Sequence, residues 1–199
     1  MRLLLSLFLL AGLATAVEPY VGVGAFQPLA SDMHAIYRLM PGASVGVRLP
    51  RTGTLAFRVG ADGILASGGG EYREMRLASA MLELGVELRT RSAIGAYVVP
   101  AVLVGYAAER TPAVDNEHNI YDRWDSGTSL GFGLNGGALL YRAGRARFDA
   151  EFGFRFLSVP TNRDEYDPWY YYRTSIDAST FGVGLIVRFG APEPESGGQ

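Results

Sequence analysis

The chain has 199 residues, of which 48% are hydrophobic and 19% charged, with 26 glycines, no cysteine and a formal net charge of −2. A mean hydropathy of only +0.11 excludes a bundle of membrane-spanning helices, since each such helix needs about 20 apolar residues. The lack of cysteine excludes a disulfide scaffold, a zinc–thiolate site and a cysteine nucleophile, and the slightly acidic charge argues against a generic nucleic-acid binder.

Residues 1–16 are predicted to be a cleaved export signal. Arg2 gives the segment a positive start, residues 3–13 are largely apolar, and Ala14-Thr15-Ala16 fits the small-x-small cleavage pattern. The apolar run is too short for a membrane anchor, and no stop-transfer segment follows it. We therefore expect export through the general secretory route and a mature chain that begins at Val17 without a lipid anchor.

About eight stretches between Val17 and Phe189 carry an apolar residue at every second position, which is the pattern of β-strands. The plainest stretches are 148–156 and 181–189, where Phe, Val and Leu alternate with polar residues or glycine. The other clear stretches are 20–26, 45–49, 55–62, 82–89 and 130–135.

Residues 93–108 form the least clear stretch, because they are apolar on both faces and contain Pro100. A short transmembrane helix is the competing interpretation, but Gly95, Gly105 and the valines favour a strand. The facing of the first and fifth strands stays open.

The connections between these strands alternate in length. Residues 50–53, 90–92 and 142–145 form short turns, whereas the other connections are long and polar, at residues 27–43, 66–76, 109–126 and 158–177. Short periplasmic turns and longer extracellular loops are typical of bacterial outer-membrane barrels. The predicted fold is therefore all-β: an eight-stranded antiparallel up-and-down transmembrane β-barrel with four long extracellular loops and both termini in the periplasm.

The residues that stand between the apolar ones in each strand distinguish a membrane barrel from a soluble, lipocalin-like one. A soluble barrel would carry long solvated side chains on its polar face. Here that face is mostly Gly, Ser, Ala and Asn with isolated charges of both signs. Because eight strands enclose a lumen only wide enough for side chains to fill, we place this set inside and the Leu, Val and Phe set against lipid.

The predicted inward face carries five acidic and five basic side chains. They are Arg48, Arg58, Asp62, Glu83, Glu87, Arg89, Asp149, Glu151, Arg155 and Arg188. A charge in a narrow lumen is costly unless it is paired and hydrogen-bonded, so equal numbers predict a structural ion-pair network that closes the lumen. A gated, low-conductance pore is the alternative.

Candidate chemistry in the sequence is sparse. His34 and His118 lie in predicted loops near acidic residues, and loop histidines are usually solvated. The pattern of lipid A deacylases, with His and Ser two residues apart on a lipid-facing strand, is absent. The spacing of the loop acids matches no calcium loop; these acids are Asp115, Glu117, Asp122 and Asp125. We assign no catalytic residue, no metal ligand and no cofactor.

Four consecutive aromatic residues stand in the last long loop: Trp169, Tyr170, Tyr171 and Tyr172. Such rings commonly form an aromatic belt at the membrane interface, which is the favoured interpretation. The alternative is a contact surface for a host protein, a glycan or a neighbouring barrel, since Trp and Tyr are frequent binding anchors.

Gly184, Val187 and Phe189 in the last strand resemble the C-terminal signal that outer-membrane barrels present to their assembly machinery. The resemblance departs from the usual pattern because residues 190–199 follow the terminal aromatic residue. That segment is rich in Pro, Gly and Glu and is expected to be a disordered periplasmic tail. The barrel domain is therefore predicted to span residues 17–189.

The export signal, eight alternating strands, glycine-rich inward face and terminal Phe189 together resemble the small outer-membrane β-barrel proteins of the OmpA/OmpX type over residues 17–189. The resemblance implies a barrel in the outer membrane of a diderm bacterium. Roles in that family include envelope integrity, adhesion, serum resistance and weak porin-like activity, and no residue here selects among them.

The expected function is therefore non-enzymatic, either structural or through surface interaction. The alternatives are a narrow pore and a lipid A-modifying enzyme. The expected partners are outer-membrane lipid and lipopolysaccharide, the barrel assembly machinery and a host or neighbouring surface ligand, but not nucleic acid.

Overall fold

A computed structural model describes residues 17–51, 54–69, 74–114, 117, 119–160 and 175–190. The predicted export signal (1–16), the aromatic segment 169–172, His118 and the tail after Gly190 lie outside the described residues. Over the described ranges, no helical segment has the length and apolar character needed to cross a membrane.

Eight strands close into a single antiparallel barrel, as the alternating pattern predicted. The strands of the barrel are β1 (Glu18–Pro28), β2 (Met40–Pro50), β3 (Leu55–Gly69), β4 (Glu74–Arg89), β5 (Tyr97–Val114), β6 (Ile120–Ala143), β7 (Ala146–Phe156) and β10 (Thr180–Phe189). Neighbours along the chain pair with each other, and β1 closes the ring by pairing with β10, Tyr20 lying opposite Arg188. In the closed part of the barrel that the structure describes, each strand therefore has a hydrogen-bonded neighbour on both sides.

The outward side chains of the barrel form a continuous apolar surface, which we call the apolar band. Its members are between 39% and 72% exposed and include Val21, Val23, Val45, Phe57, Val59, Leu82, Leu84, Val102, Val104, Leu130, Phe132, Leu134, Phe152 and Val183. Alternation along each strand places these residues on one face and the polar and small residues on the other. The band is much larger than the isolated apolar side chains of an ordinary solvated surface.

Glycines on the inward face make room for large side chains from neighbouring strands. A Cβ atom at Gly42 or at Gly182 would overlap the ring of Phe26, and one at Gly60 would overlap the Tyr20 hydroxyl. An eight-stranded lumen holds few large side chains, so the rings of Phe26 and Tyr20 fit only because glycines lie beside them. This packing accounts for much of the glycine content of the strands.

The end of the barrel with the long connections contains more regular structure than the sequence predicted. Residues 109–126 were predicted to be a polar loop, but β5 extends to Val114 and β6 begins at Ile120, so the two strands form a long hairpin. The prediction was wrong because strands that leave the membrane lose the apolar outward face by which alternation is recognised. The predicted loop 66–76 is also shorter than expected, because β3 extends to Gly69 and β4 begins at Glu74. The other two long connections contain a short helix α1 (Ser31–Ile36) and the small strands β8 (Ser158–Pro160) and β9 (Ser175–Asp177).

A buried apolar cluster fills the lumen on the side of the long connections. Its members come from α1 and the residues after it, from the barrel strands and from the segments around β8 and β9: Met33, Tyr37, Met40, Ile64, Leu77, Met81, Leu103, Ala107, Leu157, Val159, Ile176 and Ala178. This cluster explains why β5 is apolar on both faces. Val99 and Leu103 point inward and are fully buried, whereas Val102 and Val104 belong to the apolar band.

Candidate functional site

The ten charged residues that alternation placed on the inward face are all buried in the lumen, with 9% exposure or less. They come from five strands: β2, β3, β4, β7 and β10. Because β3 and β4 are not sheet neighbours of β7, ion pairs between these strands cross the lumen rather than run along its wall.

Arg58 occupies the centre of the network. Its Nη1 and Nη2 atoms lie 2.5 and 3.0 Å from the two carboxylate oxygens of Glu151, on the opposite wall. Its Nε atom lies 3.0 Å from Glu83 Oε1 and donates to the Tyr20 hydroxyl at 3.1 Å. A planar guanidinium is suited to bind two carboxylates at once, so this one side chain joins β3, β4 and β7.

Two neutral side chains add hydrogen bonds to the central carboxylates. The Tyr97 hydroxyl donates to Glu151 Oε2 at 2.8 Å, and Asn135 Nδ2 donates to Glu83 Oε2 at 2.8 Å. Charged groups inside a protein are tolerated when such bonds satisfy their remaining lone pairs. The strand that contains Tyr97 is apolar on both faces, so its sequence does not show which residues point inward. The contact between Tyr97 and Glu151 could therefore not be predicted.

Arg155 forms the part of the network nearest to the apolar cluster. Its Nη2 atom lies 2.9 Å from Asp62 Oδ2, and its guanidinium carbon lies 4.4 Å from the centre of the Phe26 ring. The ring and the guanidinium attract each other through a cation–π interaction, which is strongest where water is excluded. The charged and apolar parts of the lumen therefore come into contact through Arg155 and Phe26.

Glu87 organises the part of the network at the end with the short turns. Its carboxylate accepts from Arg48 Nε at 2.9 Å, from Arg89 Nη2 at 2.7 Å and from Arg188 Nη1 at 2.6 Å, and its side chain has no exposed surface. The Tyr97 ring lies beneath two of these guanidinium groups, 5.0 Å from Arg89 and 4.6 Å from Arg188. One carboxylate therefore holds three arginines from three strands.

Asp149 and Glu18 extend this part of the network. Asp149 pairs with Arg188 Nε at 2.9 Å and with Arg147 Nε at 2.7 Å, and Glu18 pairs with Arg48 Nη1 at 2.8 Å. Neither Arg147 nor Glu18 was predicted to face the lumen, because each lies at the beginning of its strand, where alternation is weakest. The network thus reaches the rim of the barrel.

The central part of the network leaves little free space beside it. The space beside Asn135, Glu151 and Arg155 has a volume of about 30 Å³. Roughly 10–15 Å³ of such space is needed for each water molecule, so this void holds about two. Within the described chain, this part of the lumen offers room for water but not for a solute or a cofactor.

The β5–β6 hairpin carries paired charges and two exposed aromatic side chains. Arg110 pairs with Asp122 across the hairpin, and Arg123 Nε lies 3.2 Å from Asp125 Oδ1. Tyr121 and Trp124 are 45% and 60% exposed. The hairpin therefore presents one exposed aromatic side chain on each of its two faces, beside charges that are already paired.

The connection that contains α1 contacts this hairpin from the lumen side. The Tyr37 hydroxyl donates to the buried Glu109 Oε1 at 3.3 Å, and Met33 and Tyr37 belong to the apolar cluster. These contacts fix the connection over the end of the barrel.

The remaining residues considered in the sequence do not come together into a reactive site. His34 is exposed on α1, where its Nδ1 atom lies 3.1 Å from Gln27 Nε2, and His118 lies outside the described residues. Of the loop acids, Asp122 and Asp125 each pair with an arginine. Among the residues with described positions, no group of three or more His, Cys, Asp or Glu side chains is arranged to hold a metal ion.

The three residues of the last strand that resemble an assembly signal lie on β10. Phe189 ends this strand at the short-turn rim and is 45% exposed, Val187 is half-buried, and Gly184 pairs with Gly24 of β1. The four aromatics 169–172 lie outside the described residues, so the structure places neither the belt nor the contact surface.

Comparisons with known proteins give matches among solved structures. Neisserial surface protein A is 15% identical, with 87% of this chain and 96% of that protein aligned at a TM-score of 0.53. Ail, the attachment invasion locus protein of Yersinia pestis, is 13% identical in its complex with the heparin analogue sucrose octasulfate, with 87% and 99% aligned at a TM-score of 0.52. No family model and no curated protein matches the chain. The chain therefore has the fold of the small eight-stranded outer-membrane β-barrels, as its alternating pattern predicted.

Proposed function

We propose that this protein is a non-enzymatic barrel of the bacterial outer membrane that is closed to solutes and acts through the end with the long connections. The observation that carries this proposal is the combination of an apolar band outside with a filled lumen inside. The band requires a hydrocarbon environment, and the filled lumen leaves the outer surface as the part that meets other molecules.

The barrel's outer face supports placement in the outer membrane. A closed barrel satisfies every backbone hydrogen bond within the wall, which is the condition for strands to cross a bilayer. In this proposal outer-membrane lipid and lipopolysaccharide surround the apolar band, and Gly184, Val187 and Phe189 present the chain to the assembly machinery. The mature chain starts after residue 16, and the short turns and the tail after Phe189 lie in the periplasm.

The ion-pair network has a structural role in this proposal. Its arginines and carboxylates link strands across the lumen, so they stabilise the closed barrel and block it in the same arrangement. A narrow pore is the alternative, in which the pairs around Arg58 exchange partners to open a path. The apolar cluster argues against that alternative, because it would have to move as well.

The surface at the long-connection end favours an aromatic contact over an electrostatic one. Ail is described in complex with a heparin analogue, a sulfated sugar. In the described part of this chain, Arg110 and Arg123 of the hairpin are paired with carboxylates, so they attract a polyanion weakly. Tyr121 and Trp124 are the side chains that a protein or glycan partner would cover, and the aromatics 169–172 belong either to this surface or to the membrane belt.

The test replaces both Tyr121 and Trp124 by serine in bacteria that display the protein. Their binding to host cells or glycan arrays is expected to fall by about tenfold or more, because aromatic anchors carry much of the energy of such contacts. The matched control is Tyr141→Ser, since Tyr141 is 65% exposed at the opposite rim. Flow cytometry of adherent bacteria measures the effect, and a heat-modifiability gel confirms folding of each variant.

Equal binding by the double variant, the control and the unchanged protein would contradict the surface proposal.

The same strains serve to test the enzymatic alternative. We expect the acyl pattern of lipid A, measured by mass spectrometry, to be identical with and without the protein. A changed pattern that is lost in His34→Ala would establish an enzyme instead.

A further inference from the structure

We propose that the cleft at the short-turn rim of the barrel binds a small soluble oxyanion, the phosphate or carboxylate group of a ligand. The cleft lies between the β6–β7 turn, the end of β10 and the lower part of the ion-pair network. Six arginines line it: Arg48, Arg89, Arg142, Arg145, Arg147 and Arg188. This proposal goes beyond the surface role, which concerns the opposite end of the molecule.

The charge of the cleft favours an anion. Its six arginines are accompanied by three carboxylates in the described chain, Glu18 on the cleft wall and the buried Glu87 and Asp149 behind it. Among these nine side chains, arginines therefore outnumber carboxylates by two to one. Arginine excess in a partly enclosed site raises the local concentration of anions, because the low-dielectric walls focus the field.

Two buried guanidinium groups in the cleft retain unused hydrogen-bonding capacity. Within the described part of the chain, Arg89 Nη1 and Arg188 Nη2 have no hydrogen-bond partner, although both side chains are at least nine-tenths buried. A buried N–H group without a partner costs free energy that a ligand can recover. Guanidinium groups bind carboxylates and phosphates through pairs of parallel hydrogen bonds, so an oxyanion is the class of ligand that a cleft lined by arginines favours.

The size and position of the cleft restrict the ligand further. Its volume is about 60 Å³, which is roughly four to six times the space that one water molecule needs and therefore suits a single oxyanion group. Glu18, Arg48 and Arg188 face the lumen, inside the ring of strands, so the cleft opens along the barrel axis rather than toward the bilayer. A soluble ligand reaches such a site, whereas a phospholipid headgroup does not.

Titration of the folded, full-length protein with inorganic phosphate tests the proposal. The protein is held in a neutral detergent free of lipid, at about 0.15 M salt, where charges more than about 8 Å apart are largely screened. Isothermal titration calorimetry is expected to show saturable binding of one phosphate per chain. The double variant Arg142→Gln/Arg145→Gln removes two cleft arginines on the exposed turn and leaves the buried network intact.

The expected loss of affinity in that variant is on the order of tenfold or more, the equivalent of one charge-assisted hydrogen bond. The matched control is Arg51→Gln/Arg91→Gln, which removes the same charge from the other two short turns, outside the cleft. Its affinity is expected to stay within about twofold of the unchanged protein.

Three results would overturn the proposal. The first is the absence of saturable phosphate binding. The second is an equal loss of affinity in both double variants, which would indicate a general effect of surface charge. The third is binding that occurs only in a variant ending at Gly190, which lacks Glu193 and Glu195, because the chain's own carboxylates would then be the natural occupants of the cleft.

Discussion

Replacing Glu87 by glutamine is expected to lower the free energy of unfolding by about 3–5 kcal/mol, the range found when one partner of a buried ion pair is removed. Glu87 is the shared partner of Arg48, Arg89 and Arg188, and its side chain is fully buried. Glutamine has nearly the same shape, so the change removes charge without leaving a cavity. Three guanidinium groups then surround a neutral side chain, and two of them, Arg48 and Arg188, keep only their second carboxylates, Glu18 and Asp149.

Reversible urea unfolding of the barrel in lipid vesicles, followed by tryptophan fluorescence, measures this loss. Asp122→Asn is the matched control, because it also neutralises a carboxylate that pairs with an arginine, but on the partly exposed hairpin. Exposed pairs contribute about 0–1 kcal/mol, so the control is expected to unfold almost as the unchanged protein does. If Glu87→Gln and Asp122→Asn had the same small effect, the network would not stabilise the barrel as we infer.

Replacing Leu84 by arginine is expected to destabilise the barrel in a bilayer by about 2–4 kcal/mol, the cost of an arginine on the lipid face at mid-depth. Leu84 is 57% exposed and lies in the middle of β4, with Val59 and Val102 of the apolar band on its two sides. The result depends on the environment, since an exposed arginine on the outside of a soluble barrel would have almost no effect.

Tyr121→Arg provides the control for this experiment, since Tyr121 is also an exposed, apolar-bodied side chain but lies near the tip of the hairpin, outside the apolar band. Its free energy of unfolding is expected to change by less than about 0.5 kcal/mol. The unfolding assay in vesicles applies to both variants. Equal, small changes at Leu84 and Tyr121 would mean that the apolar band is not embedded in lipid.

The barrel could be predicted from the sequence because its outward face is apolar, whereas its inward face carries small, polar and charged residues. Along β7 and β10, apolar residues at every second position identify both the strand and its facing, and charged residues such as Glu151 and Arg188 follow on the other face. Alternation also placed ten charged residues inward, and all ten are buried. Alternation could not predict which charged residues form ion pairs. The carboxylate that Arg58 binds depends on which strands lie opposite each other across the lumen.

The apolar cluster that fills the lumen on the side of the long connections could not be predicted for a related reason. Val99 and Leu103 are apolar on the inward face, so β5 has no contrast between its two sides and shows no phase. The residues that join Leu103 in the apolar cluster, such as Met33 and Leu157, come from connections that carry no period-two pattern. An apolar plug built from several connections leaves no local signal in the sequence, whereas a charge inside a strand does.

Electrical recording most directly tests the central claim, that this is a membrane barrel closed by its own side chains. The purified full-length protein, shown to be folded by its shift on a gel before and after heating, is reconstituted into planar lipid bilayers. The network around Arg58 and the apolar cluster predict no stepwise increase in conductance at moderate voltage. Large, steady channels from the folded protein would contradict the account.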